Sequence, residues 1–190
     1  MEPPPGPGYA AERMTTKSPS ELRAPAPRFS AIDWAAWTPV ERATLLFIRR
    51  NGELLLIDKK RGLGAGKVNA PGGRIEPGET AREAAIREVR EEVGVTPTGV
   101  APAGRLRFQF VDGHSIEGFV FTATGYTGGE PVETDEARPF WAAIDALPFD
   151  RMWADDRHWL PWLLAGRRFD GRFLFDGDRM LGRAVETPAD

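Results

Sequence analysis

Three glutamates, Glu88, Glu91 and Glu92, stand at i, i+3 and i+4. On a helix this spacing puts them inside one arc, where like charges repel. A hard divalent cation would relieve that repulsion. Mg²⁺ and Mn²⁺ take oxygen ligands, and Mg²⁺ completes its shell with water and substrate phosphate. Arg87 lies within helical reach of Glu83 and Glu91 and can hold a carboxylate in place. For the glutamates alone, a solvated acidic face is the plain alternative.

The element that must carry them has a start and a stop. Thr80 with Glu83 three residues later makes a capping box, in which each side chain satisfies a free backbone donor of the other. Gly94 sits where a left-handed cap is wanted, so a helix is expected over about Ala81–Val93. Ala85, Ile86, Val89 and Val93 share a stripe that can face a core. Just upstream, RGLGAGKVNAPGG gathers Gly62, Gly64, Gly66, Gly72 and Gly73 in one loop, which lets backbone approach a ligand closely.

Taken whole, GRIEPGETAREAAIREVREEVGV has Gly73, five residues, Glu79, seven residues, Arg87-Glu88-Val89, one residue, Glu91-Glu92, one residue and Gly94-Val95. That matches the Nudix box at every defined position, a far more specific pattern than a lone glycine motif. The chain resembles the Nudix hydrolases, which cleave nucleoside diphosphates linked to another group and use Mg²⁺ or Mn²⁺. The segments KKRGLGAGKVN, ETDEARPFW and MWADDRHW resemble more narrowly the oxidised purine nucleoside triphosphate hydrolases of the 8-oxo-dGTP diphosphatase type, over about Thr44 to Leu181.

The resemblance implies a metal shell of Glu88, Glu91, Glu92, the Gly72 carbonyl and Glu136. It implies a catalytic set of Glu91, Glu92 and Arg87, with the general base left open among the glutamates. The implied substrate contacts are Thr44, Lys59, Asn69, Pro71, Gly72, Gly73, Arg74, Trp153, Ala154, Asp155 and Asp156. The expected reaction is Mg²⁺-dependent conversion of a purine nucleoside triphosphate such as 8-oxo-dGTP to monophosphate and pyrophosphate. Dinucleoside polyphosphate or ADP-ribose hydrolysis, or nucleotide sensing without turnover, are the alternatives. The residue types suit a purine. An Asn amide both donates and accepts, an indole can stack on a base, and two adjacent carboxylates can share a proton. A helix N-cap is the plain alternative for Asp155 and Asp156. The chain departs from the resemblance at Leu63, Val68 and Pro71, where large aromatics are usual, which implies a wider or less stacked pocket.

Composition narrows the field. At 190 residues and 41% hydrophobic content the chain can bury one good core. It has no cysteine, which excludes disulfides, thiolate metal sites and a cysteine nucleophile. His114 and His158 are its only histidines, too few for the usual zinc hydrolase. A net charge of −3 gives no basic footprint for nucleic acid. No apolar run approaches the ~18 residues of a membrane helix, and MEPPPGPGYA lacks the basic start and apolar middle of a signal peptide. The expectation is a cytoplasmic monomer acting on a small nucleotide, without nucleic-acid or membrane partners.

Along the chain, the proline-rich residues 1–28 read as a disordered tail, 29–183 as the Nudix domain, and 184–190 as a short polar tail. Ser30 and Asp33 suggest a short capped helix bearing Trp34 and Trp37, which pack back on the domain. Residues 43–49 and 53–59 form a hairpin across Asn51-Gly52. Leu106, Phe108 and Phe110 alternate with polar residues on a half-buried strand, which turns at Asp112-Gly113 into residues 116–126. A short strand follows around Phe140-Trp141. Residues 155–164 read as a helix burying Trp159, Leu160, Leu163 and Leu164, provided Pro161 lies in its first turn. Residues 172–175 read as the last strand. The sum is an α+β fold, which the resemblance makes an α/β/α sandwich with a mixed sheet.

Overall fold

A computed structural model describes residues 28–62 and 64–188. The expected tail, up to residue 27, lies outside the described residues, as does Leu63. Strands β1 (Glu41–Arg50) and β2 (Glu53–Lys59) form the expected hairpin. Its turn has Asn51 at φ 49° and Gly52 at φ 80°, both left-handed as a two-residue hairpin turn requires.

The two strands soon part. They pair only at Arg49–Leu54 and Arg50–Glu53. Beyond that, β2 takes β3 (Val68–Asn69) and β8 (Ala137–Ala143) as antiparallel partners. One edge of β1 runs parallel to β6 (Ser115–Ala123). The other accepts the segment from Pro71 to Ile75, through Leu46 N to Pro71 O at 2.9 Å and Thr44 N to Gly73 O at 2.8 Å. The glycine loop is thereby laid directly on a central strand. Outward from β6 come β5 (Ala101–Phe110), then β9 (Phe169–Asp176), then β10 (Arg179–Glu186). The β5–β9 pair is parallel and β5–β6 antiparallel, so the sheet is mixed. A small pair, β4 (Thr96–Thr98) with β7 (Gly125–Thr127), stands apart.

Strand alternation divides the core. Leu46, Ile48, Leu55 and Ile57 face α1 (Ala81–Val93), where Ala85, Val89 and Val93 meet them. Phe47, Leu54, Leu56, Phe173 and Phe175 face α2 (Asp156–Leu164), against Trp159, Leu160 and Leu163. This is the expected α/β/α sandwich. Ile86 is only half-buried, and Ala84 takes its place on the buried stripe.

Three local expectations are corrected. Pro161 lies inside α2 rather than in its first turn. The short helix forgoes that amide bond and still buries Trp159 and Leu160 completely. The tail expected from residue 184 belongs to β10, where Ala184 pairs with Arg172 and Glu186 with Asp170. The expected helix at Ser30–Asp33 is instead a 3-10 turn over Phe29–Ala31, and Asp33 Oδ1 accepts from the amides of Ala35 and Ala36. The tryptophans do pack back on the domain. Trp34 packs at a tilt between Phe29 and Trp37, and Trp37 Nε1 donates to Gln109 Oε1 at 2.9 Å. Phe29 fills the space over Gly182 that a Cβ there would occupy.

A sharp contrast between two truncations follows. Removing residues 1–27 should leave the melting temperature nearly unchanged, because that composition has little to bury. Removing 1–37 also strips the three aromatics and should cost roughly 2–4 kcal/mol. Urea unfolding of both truncations checks it. Among the described residues, no helix is long and apolar enough to cross a membrane.

Candidate active site

The helix α1 begins and ends as its sequence demands. Thr80 Oγ1 accepts from Glu83 N at 3.2 Å, Glu83 Oε2 accepts from Thr80 N at 2.9 Å, and Gly94 takes φ 76°. The loop leading into it needs two glycines for lack of space. A Cβ on Gly72 would overlap the Thr44 carbonyl oxygen, and one on Gly73 would overlap the Glu88 carboxylate. Backbone and glutamates are thus pressed together.

Arg87 organises one side of this contact. Its Nε bonds Glu79 Oε1 at 2.9 Å, its Nη1 reaches Glu88 Oε1 at 2.8 Å and Glu91 Oε2 at 2.9 Å, and its Nη2 donates to Arg74 O at 3.0 Å. Glu79 replaces the expected partner Glu83, which the capping box holds. Glu92 lies on the other side, 1% exposed. Its Oε2 accepts from Gly72 N at 2.8 Å, and its Oε1 meets Lys59 Nζ at 3.0 Å. Lys59 Nζ also donates to Gly72 O at 3.2 Å.

Burial raises the pKa of both Glu92 and Glu88, opposed chiefly by Lys59 in the first case and by Arg87 in the second. Their charged forms therefore depend on nearby cations. Among the described residues, no three acidic or histidine side chains gather around one point, and Glu88 and Glu91 both bond Arg87. Yet the Lys59 ammonium sits between the Glu92 carboxylate and the Gly72 carbonyl, two hard oxygens of the kind Mg²⁺ or Mn²⁺ takes. The donor set fits such an ion.

Beside the glutamates opens a cavity of about 430 Å³. Thr44, Lys59, Asn69, Gly72, Gly73, Arg74, Glu136, Trp153, Asp155 and Asp156 all line it. Arg74 is held at its rim by Glu41, through bonds of 2.7 and 2.8 Å. The rings of Trp153 and Phe175 stand nearly perpendicular, 5.9 Å between centroids. At the inner end Asp155 and Asp156 are 2% and 3% exposed. Asp155 Oδ2 accepts from Trp159 Nε1 at 2.8 Å and Asp156 Oδ2 from Trp153 N at 2.9 Å. Asp155 occupies the N-cap position of α2 but makes no side-chain capping bond. Desolvation pushes both carboxyls up, Asp155 to about 6 and Asp156 well above its usual range, the latter helped by its charged neighbour.

The model of the NUDIX domain matches residues 38–163. The chain belongs to the Nudix family. An oxidized purine nucleoside triphosphate hydrolase of Danio rerio is 44% identical over 135 residues, 70% of this chain and 86% of the relative. A Mus musculus protein of the same name is 37% identical over 143 residues, 75% of this chain and 92% of the relative. Among solved structures, a mutator MutT protein from Bacillus halodurans superposes with a TM-score of 0.70 at 27% identity, covering 77% of this chain and 98% of that one.

Two residues expected at the Nudix substrate site do not line the cavity. Pro71 is buried and directs its carbonyl to Leu46 N, and Ala154 packs against the α2-side core. Val68, expected to widen the pocket, is fully buried on β3. The sequence reading missed the far wall, where Phe108, Phe110, Ile116 and Phe175 line the cavity with Glu41 at the rim. Alternation placed Phe108 and Phe110 on one strand face, which is their only local signal.

The carboxyl pair of this Nudix domain also bears on stability. Both groups hold a proton more tightly folded than unfolded. The stability they contribute is therefore present at low pH and lost as pH rises through the folded pKa, about 6 for Asp155. Asp155→Asn should flatten this fall, so that between pH 4.5 and 7.5 the variant gains roughly 1–3 kcal/mol relative to the parent. Urea unfolding across that range measures it, and parallel curves would sink it.

Proposed function

We propose that this chain hydrolyses oxidised purine nucleoside triphosphates, such as 8-oxo-dGTP, to monophosphate and pyrophosphate, as a cytoplasmic monomer that cleans the nucleotide pool. The names of its zebrafish and mouse relatives support this reading. The observation that carries it is one cavity with two chemistries. Lys59, Gly72, Gly73 and Arg74, whose chemistry suits phosphate, and Asn69, Trp153, Asp155 and Asp156, whose chemistry suits a purine, line the same cavity beside the glutamates of α1.

Glu88, Glu91, Glu92, the Gly72 carbonyl and Glu136 would hold Mg²⁺ or Mn²⁺. When bound, the ion would offset phosphate charge and lower the pKa of a water. The chain's residues supply the rest. Arg87 fixes the directions of Glu88 and Glu91, so it is a positioning residue. Lys59 and Arg74 bring positive charge to the phosphates. One of the glutamates takes the proton of the attacking water. The indole of Trp153 stacks on the base, and Asn69 with the carboxyl pair reads its edge.

A turnover screen tests this. It takes oxidised, methylated and ordinary purine nucleoside triphosphates with Mg²⁺ or Mn²⁺, and dinucleoside polyphosphates and ADP-ribose as competitors, with release of pyrophosphate as readout. The expected result is highest kcat/KM on an oxidised purine triphosphate. Preference for ADP-ribose or a dinucleoside polyphosphate would replace the reading, and binding without turnover would make the chain a sensor.

A further inference from the structure

Trp153 is held from outside by a contact that belongs neither to the glutamate site nor to the cavity lining. Lys67 Nζ lies 4.7 Å from the centre of the indole and makes an ion pair with Asp178 Oδ2 at 2.8 Å. Asp178 is in the turn between β9 and β10, and Lys67 ends the glycine loop just before β3. The pair therefore ties two separate loops across one face of the ring. An indole has two faces. Trp153 lines the cavity and Lys67 does not, and the ammonium covers one of the two faces. The rings of Trp153 and Phe175 stand nearly perpendicular at 86°, and Gly64 passes close enough that a Cβ there would lie 3.1 Å from Nε1.

Lys67 is itself well anchored. Its amide donates to Gly64 O at 2.9 Å and its carbonyl accepts from Lys59 N at 3.0 Å. The next amide, Val68 N, donates to Arg151 O at 2.9 Å, two residues before Trp153. Backbone and side chain thus both join the glycine loop to the tryptophan segment. A cation over an aromatic face attracts it through the ring quadrupole. A ring already fixed in its stacking pose spares a base the cost of ordering it.

We propose that Lys67, tethered by Asp178, is a positioning residue for Trp153, and that the pair sets the affinity of the purine-stacking face rather than the rate of the phosphate chemistry. This rests on the proposed purine specificity and deepens it.

Equilibrium binding of 8-oxo-dGMP and of inorganic pyrophosphate, by calorimetry, tests it without turnover. Lys67→Met keeps the length of the side chain and removes the charge. It should weaken 8-oxo-dGMP by about 3–10-fold and leave pyrophosphate unchanged. In kinetics KM for the triphosphate should rise by a similar factor at constant kcat. Lys67→Arg should restore the parent values, and Asp178→Asn should lose part of the affinity. In a Trp153→Ala background, Lys67→Met should have no further effect, since its partner is gone.

Equal weakening of pyrophosphate would overturn the proposal and make Lys67 a general phosphate attractor. Unchanged 8-oxo-dGMP binding by Lys67→Met, or a full Lys67→Met effect without Trp153, would overturn it while leaving the purine specificity standing. A parent that binds pyrophosphate but no purine monophosphate would remove the specificity itself, and the proposal with it.

Discussion

Replacing Glu92 by glutamine is expected to lower kcat by about 10²-fold or more, the scale of a lost catalytic or charge-stabilising group. Glu92 is the most deeply buried of Glu88, Glu91 and Glu92 and the one bonded to both Gly72 N and Lys59. A glutamine can still accept from the Gly72 amide with its oxygen. Its amide nitrogen, however, faces the Lys59 ammonium donor to donor, and the negative charge is gone. The fold should survive, because α1 keeps its capping box and its apolar stripe. Glu91→Gln should also reduce turnover, although Glu91 is much more exposed, with 55% of its side chain accessible. Steady-state kinetics with Mg²⁺, alongside circular dichroism to verify folding, decides the matter. If both variants run at near-parental rates, the glutamates of α1 are not the cation site.

The legibility of this chain follows from how local each signal is. The capping box, the Gly94 cap and the Asn51-Gly52 turn each depend on a few consecutive residues, so the sequence announces them. The same locality explains why Arg87 holds Glu91 as its spacing suggests but not Glu83. Helical spacing offers it Glu83, but Thr80 takes that carboxylate first, and Arg87 turns to Glu79 across the loop. β10 is an edge strand of half-buried and exposed residues with weak alternation, so a pattern search reads it as a polar tail. The far wall of the cavity is harder still. Phe108 and Phe110 read correctly as one apolar face of β5, but whether that face meets core or open space depends on where β9 and α2 settle. The site residues that the family resemblance supplied mostly line one cavity, because they flank the loop laid on β1 or the N-terminus of α2. Pro71 and Ala154 lie beside cavity residues in sequence but do not line it themselves, because proximity in sequence does not turn a side chain toward the open space.

The purine-suited residues of the cavity should respond to mutation in two distinct ways. Stacking tolerates any base, so Trp153→Ala is expected to lower kcat/KM for all purine substrates by a similar factor, about 10-fold or more from a stacking contribution of ~1–3 kcal/mol. The carboxyl pair acts differently. Asp155 and Asp156 sit almost without solvent, where two adjacent negative charges are costly, and burial holds their protons toward neutral pH. The pair can then accept at one atom and donate at another, and the position of the shared proton can follow the base presented to it. Asp155→Asn keeps an oxygen for Trp159 Nε1 but fixes the other atom as a permanent donor. It should therefore change the order of preference among 8-oxo-dGTP, 2-oxo-dATP, O6-methyl-dGTP and dGTP, with at least one ratio of kcat/KM moving by about 10-fold or more, as expected when a buried polar partner is mismatched. Neither variant touches Lys59, Gly72 or the glutamates of α1, so their metal dependence should stay that of the parent. A uniform loss across all four substrates on Asp155→Asn would mean that the pair supports the pocket without reading the base, and base discrimination would then fall to Asn69.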